Sequence, residues 1–291
     1  MDISGLSVKG SETYNRLCMG TDESVRLKDV ILSSENQQKI NSFMEERKNM
    51  AKLKAIGLEP VNRLLLYGAS GTGKTYMTQA VANELGLPML HLDISKLSEE
   101  KMAAGITDIF ELAEELKSAL IFLDECDSIC WARDDDNNED SAAIRRANNV
   151  LFQQLDHMSS SQIFVSATNL YDRLDAAFRR RFNIEMKFLA PKITDFSAAV
   201  ARFIGPSFEY RRDMDGRVKA VVDYQALNYT HMSYYQIKDW TQRAVKAAVL
   251  RNRETIMESE IYGMLMQAMR MEVKYDDSGA PYLHQYGIQS R

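Results

Sequence analysis

The octapeptide Gly68-Ala69-Ser70-Gly71-Thr72-Gly73-Lys74-Thr75 constrains this chain more than any other feature. It has the spacing G-x-x-x-x-G-K-[ST], lies after the apolar run Leu64-Leu65-Leu66 and opens a helical pattern over 75–85. A strand before the glycine-rich turn and a helix after it are the context this spacing requires. The glycines let the backbone wrap closely, so that successive N–H groups and the helix N-terminus face a phosphate. Lys74 is placed to reach β and γ phosphates, and Thr75 to offer its hydroxyl to Mg²⁺.

Around this turn, short apolar runs alternate with longer amphipathic ones. The runs 63–67, 89–93, 119–124, 163–168 and 184–188 are predicted strands, and the segments 75–85, 107–116 and 142–158 between them read as helices. That alternation predicts an α/β fold, a parallel five-stranded sheet with crossover helices. Upstream, Ile40, Phe43 and Met44 fall at helical spacing over 34–50, with Ser34 as a cap. After Pro191 the strand signals fade and 195–203, 233–251 and 258–271 read as helices, which predicts a small helical lid. The expected boundaries are an N-terminal arm (1–25), either mobile or a partner-docking segment, a large α/β domain (26–191), a helical lid domain (192–271) and a loose tail (272–291) whose Asp276, Asp277, Gly279 and Pro281 signal a turn.

The sheet's predicted strand ends carry further chemistry. The third apolar run leads directly into Asp124-Glu125, and strand C-terminal ends are where ligands sit in open α/β sheets. There Asp124 suits a Mg²⁺ held through water, and Glu125 suits a general base that polarises an attacking water. The fourth run ends in Asn169, an uncharged amide suited to orienting that water. Arg179-Arg180-Arg181 closes a helical turn before the fifth run; three adjacent cations repel unless a phosphate or carboxylate faces them.

Composition narrows the partners. The chain has 291 residues, 45% hydrophobic and 26% charged, with a net charge of −5. One or two soluble globular domains are expected, and the acidic balance gives no long-range attraction for nucleic acid. Three cysteines, no signal-peptide pattern and no apolar run near 18 residues lead us to expect a reducing, cytoplasmic setting with no membrane span. Cys126 and Cys130, four apart with no adjacent His, do not make a four-ligand zinc site and are read as structural. Met264, Met266, Met269 and Met271 read as lid core.

In order and spacing these elements resemble the AAA+ ATPases, and more narrowly the AAA branch, whose A-T-N-x-x-x-x-L-D signature is similar to Ala167-Thr168-Asn169 with Leu174-Asp175. The resemblance covers about residues 26–270 and takes in Asp29-Val30-Ile31-Leu32 and Ser233-Tyr234-Tyr235-Gln236-Ile237. It implies ATP and Mg²⁺ as ligands, with Gly68 through Tyr76 and Ile31 binding nucleotide and Ile31 beside the adenine. It also implies a homo-oligomeric ring, expected to be a hexamer, in which Arg180 and Arg181 reach the neighbour's γ-phosphate as arginine fingers. Ala69 and Ser70 stand where the family has prolines, and the arginine motif is condensed to Arg179-Arg180-Arg181-Phe182. The region matching the family's first pore loop reads Lys101-Met102-Ala103-Ala104-Gly105, so Met102 is either a substrate grip or packed core. The acidic stretch 134–140 corresponds to the second pore loop, with a solvated run as its plainer reading.

The function implied is an ATP-driven remodeller of a protein substrate, recruited by a partner because only about 25 residues precede the core. Compact members of this kind resemble the HORMA-domain remodellers and also stand-alone ATPases that work beside a separate protease. Two other classes stay open. A DNA-directed loader would need a basic stripe or a helix-turn-helix, and neither is found. A nucleotide-gated scaffold would need no Glu125.

Overall fold

The structure, a computed structural model, describes residues 6–17, 24–94, 97–131, 142–227, 229 and 232–285. Cys18, His231 and the acidic stretch 134–140 lie outside the described residues. Two compact units divide the chain, Met1–Phe188 and Leu189–Arg291.

The first unit runs α1 (Val8–Leu17), α2 (Ser34–Lys48), α3 (Met50–Ala55), β1 (Arg63–Tyr67), α4 (Lys74–Leu85), β2 (Met89–Asp93), α5 (Glu99–Glu115), β3 (Leu120–Asp124), α6 (Ala142–His157), β4 (Ile163–Thr168), α7 (Ala176–Arg179) and β5 (Ile184–Lys187). Its five strands form one parallel sheet in the order β2-β3-β4-β1-β5. Successive side chains point to opposite faces, and both faces are buried, which is why the strands read as unbroken apolar runs. Leu65, Leu90, Leu92, Ile121, Leu123 and Phe164 pack on one face under α5 and α6. Leu64, Leu66, Met89, Phe122, Ile163 and Val165 pack on the other under α2 and α4, against Ile40, Phe43, Met77 and Val81.

Because β4 lies between β1 and β3, residues leaving β4 emerge between those leaving the other two. The register sets Tyr67 opposite Thr168 and Leu123 opposite Ser166. The glycine-rich turn, Asn169 and the Asp124-Glu125 pair therefore share one edge of the sheet.

Two expectations fail in this unit. The N-terminal arm is not loose over its described part, since α1 docks on α5. Ser7 donates its N–H and hydroxyl to the Glu115 carboxylate at 3.1 and 2.9 Å, and Lys9 pairs with Asp108 at 3.2 Å and Glu111 at 2.7 Å. Tyr14 packs against the core beneath. A Cβ at Gly10 would meet the Glu115 carboxylate, so a larger residue there would have to displace that side chain from its place against Ser7. Second, α5 begins at Glu99, well before the expected 107. Ser98 stands at the cap position, and Glu99 and Glu100 complement the positive end of the helix. Lys101 and Gly105 thus belong to a helix.

The second unit contains α8 (Ile193–Ile204), β6 (Glu209–Arg211), α9 (Gly216–Ala226), α10 (Tyr234–Leu250), β7 (Thr255–Met257), α11 (Glu258–Ala268), β8 (Met271–Tyr275) and β9 (Pro281–Gln285). Helices α8, α10 and α11 fall where helices were expected, while α9, capped by Asp215, was not expected; Ser233 and Gln236 form a reciprocal cap on α10. Phe196 anchors the core between Trp240 and Tyr262. The expected loose tail is instead an antiparallel hairpin, β8 against β9. Its turn is closed by the Asp276 carboxylate, which accepts the Ser278 N–H at 2.8 Å and the Ala280 N–H at 3.0 Å. Met271 belongs to β8 because the chain leaves α11 through Arg270 at φ 57°, a left-handed residue that stops the helix. β6 and β7 form a short parallel pair. No described helix is long and apolar enough to cross a membrane.

Arg47 on α2 donates to Ser160 O at 2.7 Å and Ser161 O at 3.1 Å and is 9% exposed. Arg47→Met should lower stability by about 1–3 kcal/mol, the cost of leaving buried acceptors unpaired, read as a drop in the urea midpoint with the slope unchanged. Glu115→Ala should raise amide hydrogen exchange across 8–17 while leaving β1 and β3 protected, because it removes the acceptor that holds α1.

Candidate functional site

Three strand ends and the start of α4 build the site, and the short α7 carries the arginines. At the end of β1 the chain turns through Gly68 at φ 142°, where a Cβ would collide with the Phe188 carbonyl oxygen. Gly73, at φ 103°, caps α4 in the left-handed region that other residues avoid. The turn closes on itself through the Thr72 hydroxyl, which donates to Ala69 O at 2.8 Å. Ala69, Ser70 and Gly71 stand exposed at its tip. With backbone groups lining the turn, the absence of the family's prolines leaves its shape intact.

Lys74 begins α4 and is 8% exposed. Its ammonium donates to Gly68 O at 2.6 Å, Ala69 O at 3.0 Å and the Asn169 side-chain oxygen at 2.7 Å. Burial pushes its pKa down, and the nearby Asp124 and Asp127 carboxylates oppose that. A buried ammonium ringed by oxygens at a helix N-terminus is chemically suited to a polyanion.

Thr75 follows on α4, with its hydroxyl 3.5 Å from Asp124 Oδ2. A hydroxyl and a carboxylate this close are hard oxygen donors, and one or two such protein ligands suffice for Mg²⁺ when phosphate and water supply the rest. These residues fit that ion. The other Asp124 oxygen accepts the Glu125 N–H at 3.0 Å. Glu125 is exposed and takes φ 51° as it leads into the 3-10 turn Cys126–Ser128.

Tyr76 packs against the cluster under α4. Ile31 is half-buried after the turn Leu27–Asp29, whose flanking Val25 and Val30 pack in that same cluster. Met102 lies 8% exposed in the core between α5 and the sheet, so the packed-core alternative describes it here, while Lys101 beside it is exposed. Cys126 and Cys130 are both fully buried free thiols; burial pushes the Cys126 pKa up to about 12 and that of Cys130 well above its usual value. Thiols this resistant to ionisation do not serve as metal ligands or nucleophiles.

The three arginines separate. Asp175 caps α7 by accepting the Ala177 N–H at 2.5 Å, and the helix presents them in succession. Arg179 lies over the Tyr171 ring at 5.0 Å. Arg181 forms a two-pronged ion pair with Asp156 on α6, both bonds at 3.0 Å, and its guanidinium lies 4.2 Å from the Phe152 ring. That hydrogen bond holds the Asp156 carboxyl below its ordinary pKa. Arg180 is exposed, donates only locally to Ala176 O at 3.3 Å, and makes no ion pair among the described residues. The mutual repulsion expected of the cluster is thus relieved by an aromatic ring and a carboxylate inside the chain.

Two residues escaped the sequence reading. Asp156 follows Phe152 on the amphipathic α6 and carries no local signal; its partner is 25 positions away. Asp127 does carry one, being an acid two positions after Glu125, and its carboxylate accepts the Thr168 hydroxyl at 2.5 Å.

Residues 64–189 match the family described as the ATPase family associated with various cellular activities (AAA). An uncharacterized AAA family ATPase, y4kL, of Sinorhizobium fredii is 27% identical over 83% of this chain and 71% of its own length. Proteasome-activating nucleotidase 2 of Halobacterium salinarum is 34% identical over 45% of this chain and 33% of its own. The 26S proteasome regulatory subunit 6B homolog of Saccharomyces cerevisiae is 29% identical over 77% and 51%. The chain thus spans a third to a half of these two proteasome-linked relatives. The matched segment begins in β1, contains the glycine-rich turn, the Asp124-Glu125 pair, Asn169 and the arginines, and ends just past β5. Residues 64–189 of the chain thus carry an AAA ATPase domain.

Proposed function

We propose that this ATPase works as a remodeller of protein substrates in an oligomeric ring, with hydrolysis at the edge shared by β1, β3 and β4. The observation that carries the catalytic reading is a pair of contacts made by adjacent residues at the start of α4, Lys74 with the Asn169 side chain and Thr75 with Asp124. In it, the N–H groups of residues 68–76 and the Lys74 ammonium hold the β and γ phosphates. Mg²⁺, when bound through Thr75 and Asp124, neutralises charge on those phosphates. Glu125 takes the proton of the attacking water as the water oxygen bonds to the γ-phosphorus, and ADP departs with the bridging oxygen. Asn169 orients that water.

The ring and the protein substrate rest on resemblance and on the names of the relatives, which include a proteasome-activating nucleotidase and a vacuolar protein sorting-associated protein. A hexamer and a HORMA-type signalling complex as the substrate are the finer versions of this reading. The exposed Arg180, without a carboxylate partner among the described residues, supports one arginine finger in place of the expected two.

Three outcomes test this. Lys74→Ala should abolish nucleotide binding in a fluorescent-ATP titration. Glu125→Gln should keep binding and lose at least about 100-fold in kcat, in the range for removing a general base; parent-like turnover would remove Glu125 from that role. Proteins retained by Glu125→Gln but not by Lys74→Ala would identify the substrate, whereas retention of nucleic acid would favour a loader. For the arginines, Arg180→Ala should keep binding and lose about 10³-fold or more in kcat, the scale of an arginine finger. Arg181→Ala should instead show a lower melting temperature as its main effect, because Asp156 loses its partner. A larger catalytic loss from Arg181→Ala than from Arg180→Ala would reverse the assignment.

A further inference from the structure

None of the roles above uses Asp127, yet its carboxylate sits at the joint between two of the groups they name. The backbone ladder between β3 and β4 ends with Leu123 opposite Ser166. Asp124, Glu125 and Asn169 all lie beyond that last pair; Asp124 is in register with Asp93 of β2 and Asn169 follows Thr168, paired with Tyr67 of β1, but no β3–β4 pair fixes them against each other. Asp127 reaches across this gap to accept the Thr168 hydroxyl at 2.5 Å. Thr168 is 1% exposed, and its oxygen in turn accepts the Leu170 N–H at 2.9 Å. One hydroxyl thus spends its proton on the Glu125 turn and its lone pair on the peptide just past Asn169. Asn169 is held on both sides.

Glu125 also needs holding. It adopts φ 51°, a left-handed conformation that costs a non-glycine residue about 1–2 kcal/mol. The Ser128 N–H and hydroxyl fix its carbonyl at 3.0 and 2.8 Å, and Asp124 fixes its N–H at 3.0 Å. Those bonds fold the turn on itself; the buried Cys126, facing Ser166, seats its start on β4, and the Asp127–Thr168 bond locates it at the strand end beside Asn169. An anionic acceptor makes this the strong kind of hydrogen bond, and burial at the Thr168 end shields it from water.

We infer that Asp127 and Thr168 are positioning residues that set the distance between Glu125 and Asn169, acting through the turn and the strand end without touching the nucleotide. The inference rests on the ATPase reading. Misplacing a catalytic group by about 1 Å costs on the order of 100-fold, so the effect should appear in kcat and spare nucleotide binding.

The test is steady-state ATP hydrolysis and fluorescent-nucleotide binding at 25 °C, with thermal melts, for Thr168→Val, Thr168→Ser, Asp127→Ala and the double variant Asp127→Ala/Thr168→Val. Thr168→Val and Asp127→Ala should each lose about 10- to 100-fold in kcat with nucleotide affinity within about 3-fold of the parent. Thr168→Ser keeps the hydroxyl and should stay within about 3-fold in kcat. The double variant should lose no more than the worse single one, as members of one bond do. Parent-like kcat in Asp127→Ala would overturn the proposal, as would Thr168→Ser losing as much as Thr168→Val, or losses that multiply in the double variant. If Thr168→Val does not fold, Asp127→Ala, on a half-buried turn, and Thr168→Ser still decide between these outcomes. Glu125→Gln serves as the control. A parent that hydrolyses no ATP would refute the ATPase reading itself, while an active parent with an inactive Glu125→Gln and an active Asp127→Ala would refute only this inference.

Discussion

The position of β4 between β1 and β3 governs the distances in this site. A parallel sheet allows only a few ways to bring strand ends together, and here it places the residue leaving β4 between the glycine-rich turn and the paired carboxylates. Lys74, buried on α4, reaches the Asn169 side chain across the β1–β4 seam because Tyr67 is in register with Thr168. A slip of one residue in that ladder would turn every β4 side chain to the wrong face and carry Asn169 away from Lys74. The two apolar layers that sandwich the sheet are what forbid the slip, so the chemistry at the edge depends on packing well inside the molecule.

Much of this was legible in the sequence because it is local. Fully buried parallel strands need apolar side chains on both faces, and β1, β2 and β4 begin and end where their apolar runs do. The glycine-rich turn announces itself, since its backbone conformation tolerates few other residues. The misses share a cause, which is that their determinants lie far apart in the chain. Nothing near Val8–Leu17 reveals that Glu115 and Asp108 await it. The start of α5 was missed for a different reason. The apolar spacing from Met102 to Ile106 continues that of Ile109 and Ala113, but the first turn is rich in charge and small residues and reads as loop. The terminal hairpin was hidden by methionines whose spacing continues the helix past Arg270, where the backbone in fact turns back.

The arginine cluster shows how a surface sequence acquires different duties. Three identical side chains in a row carry no instruction as to which does what. The surrounding structure supplies it, giving Arg179 the face of Tyr171 and Arg181 the carboxylate of Asp156. A comparable division occurs in the second unit, where Lys219 is enclosed by Tyr262, Glu258 and Asp223. Burial first, and then these carboxylates, hold the Tyr262 phenol well above its ordinary pKa. This polar cluster ties α9 to α11 through Lys219.

One helix joins these themes. Near its start α6 sends the Asn148 amide to Ile129 O at 3.0 Å, just behind the turn that carries Glu125. Near its end, the same helix holds Arg181 through Asp156. α6 therefore has one grip just behind the turn that carries Glu125 and another on Arg181, the neighbour of Arg180. In mechanical terms it is a crank: a tilt of α6 as one body would carry both contacts with it.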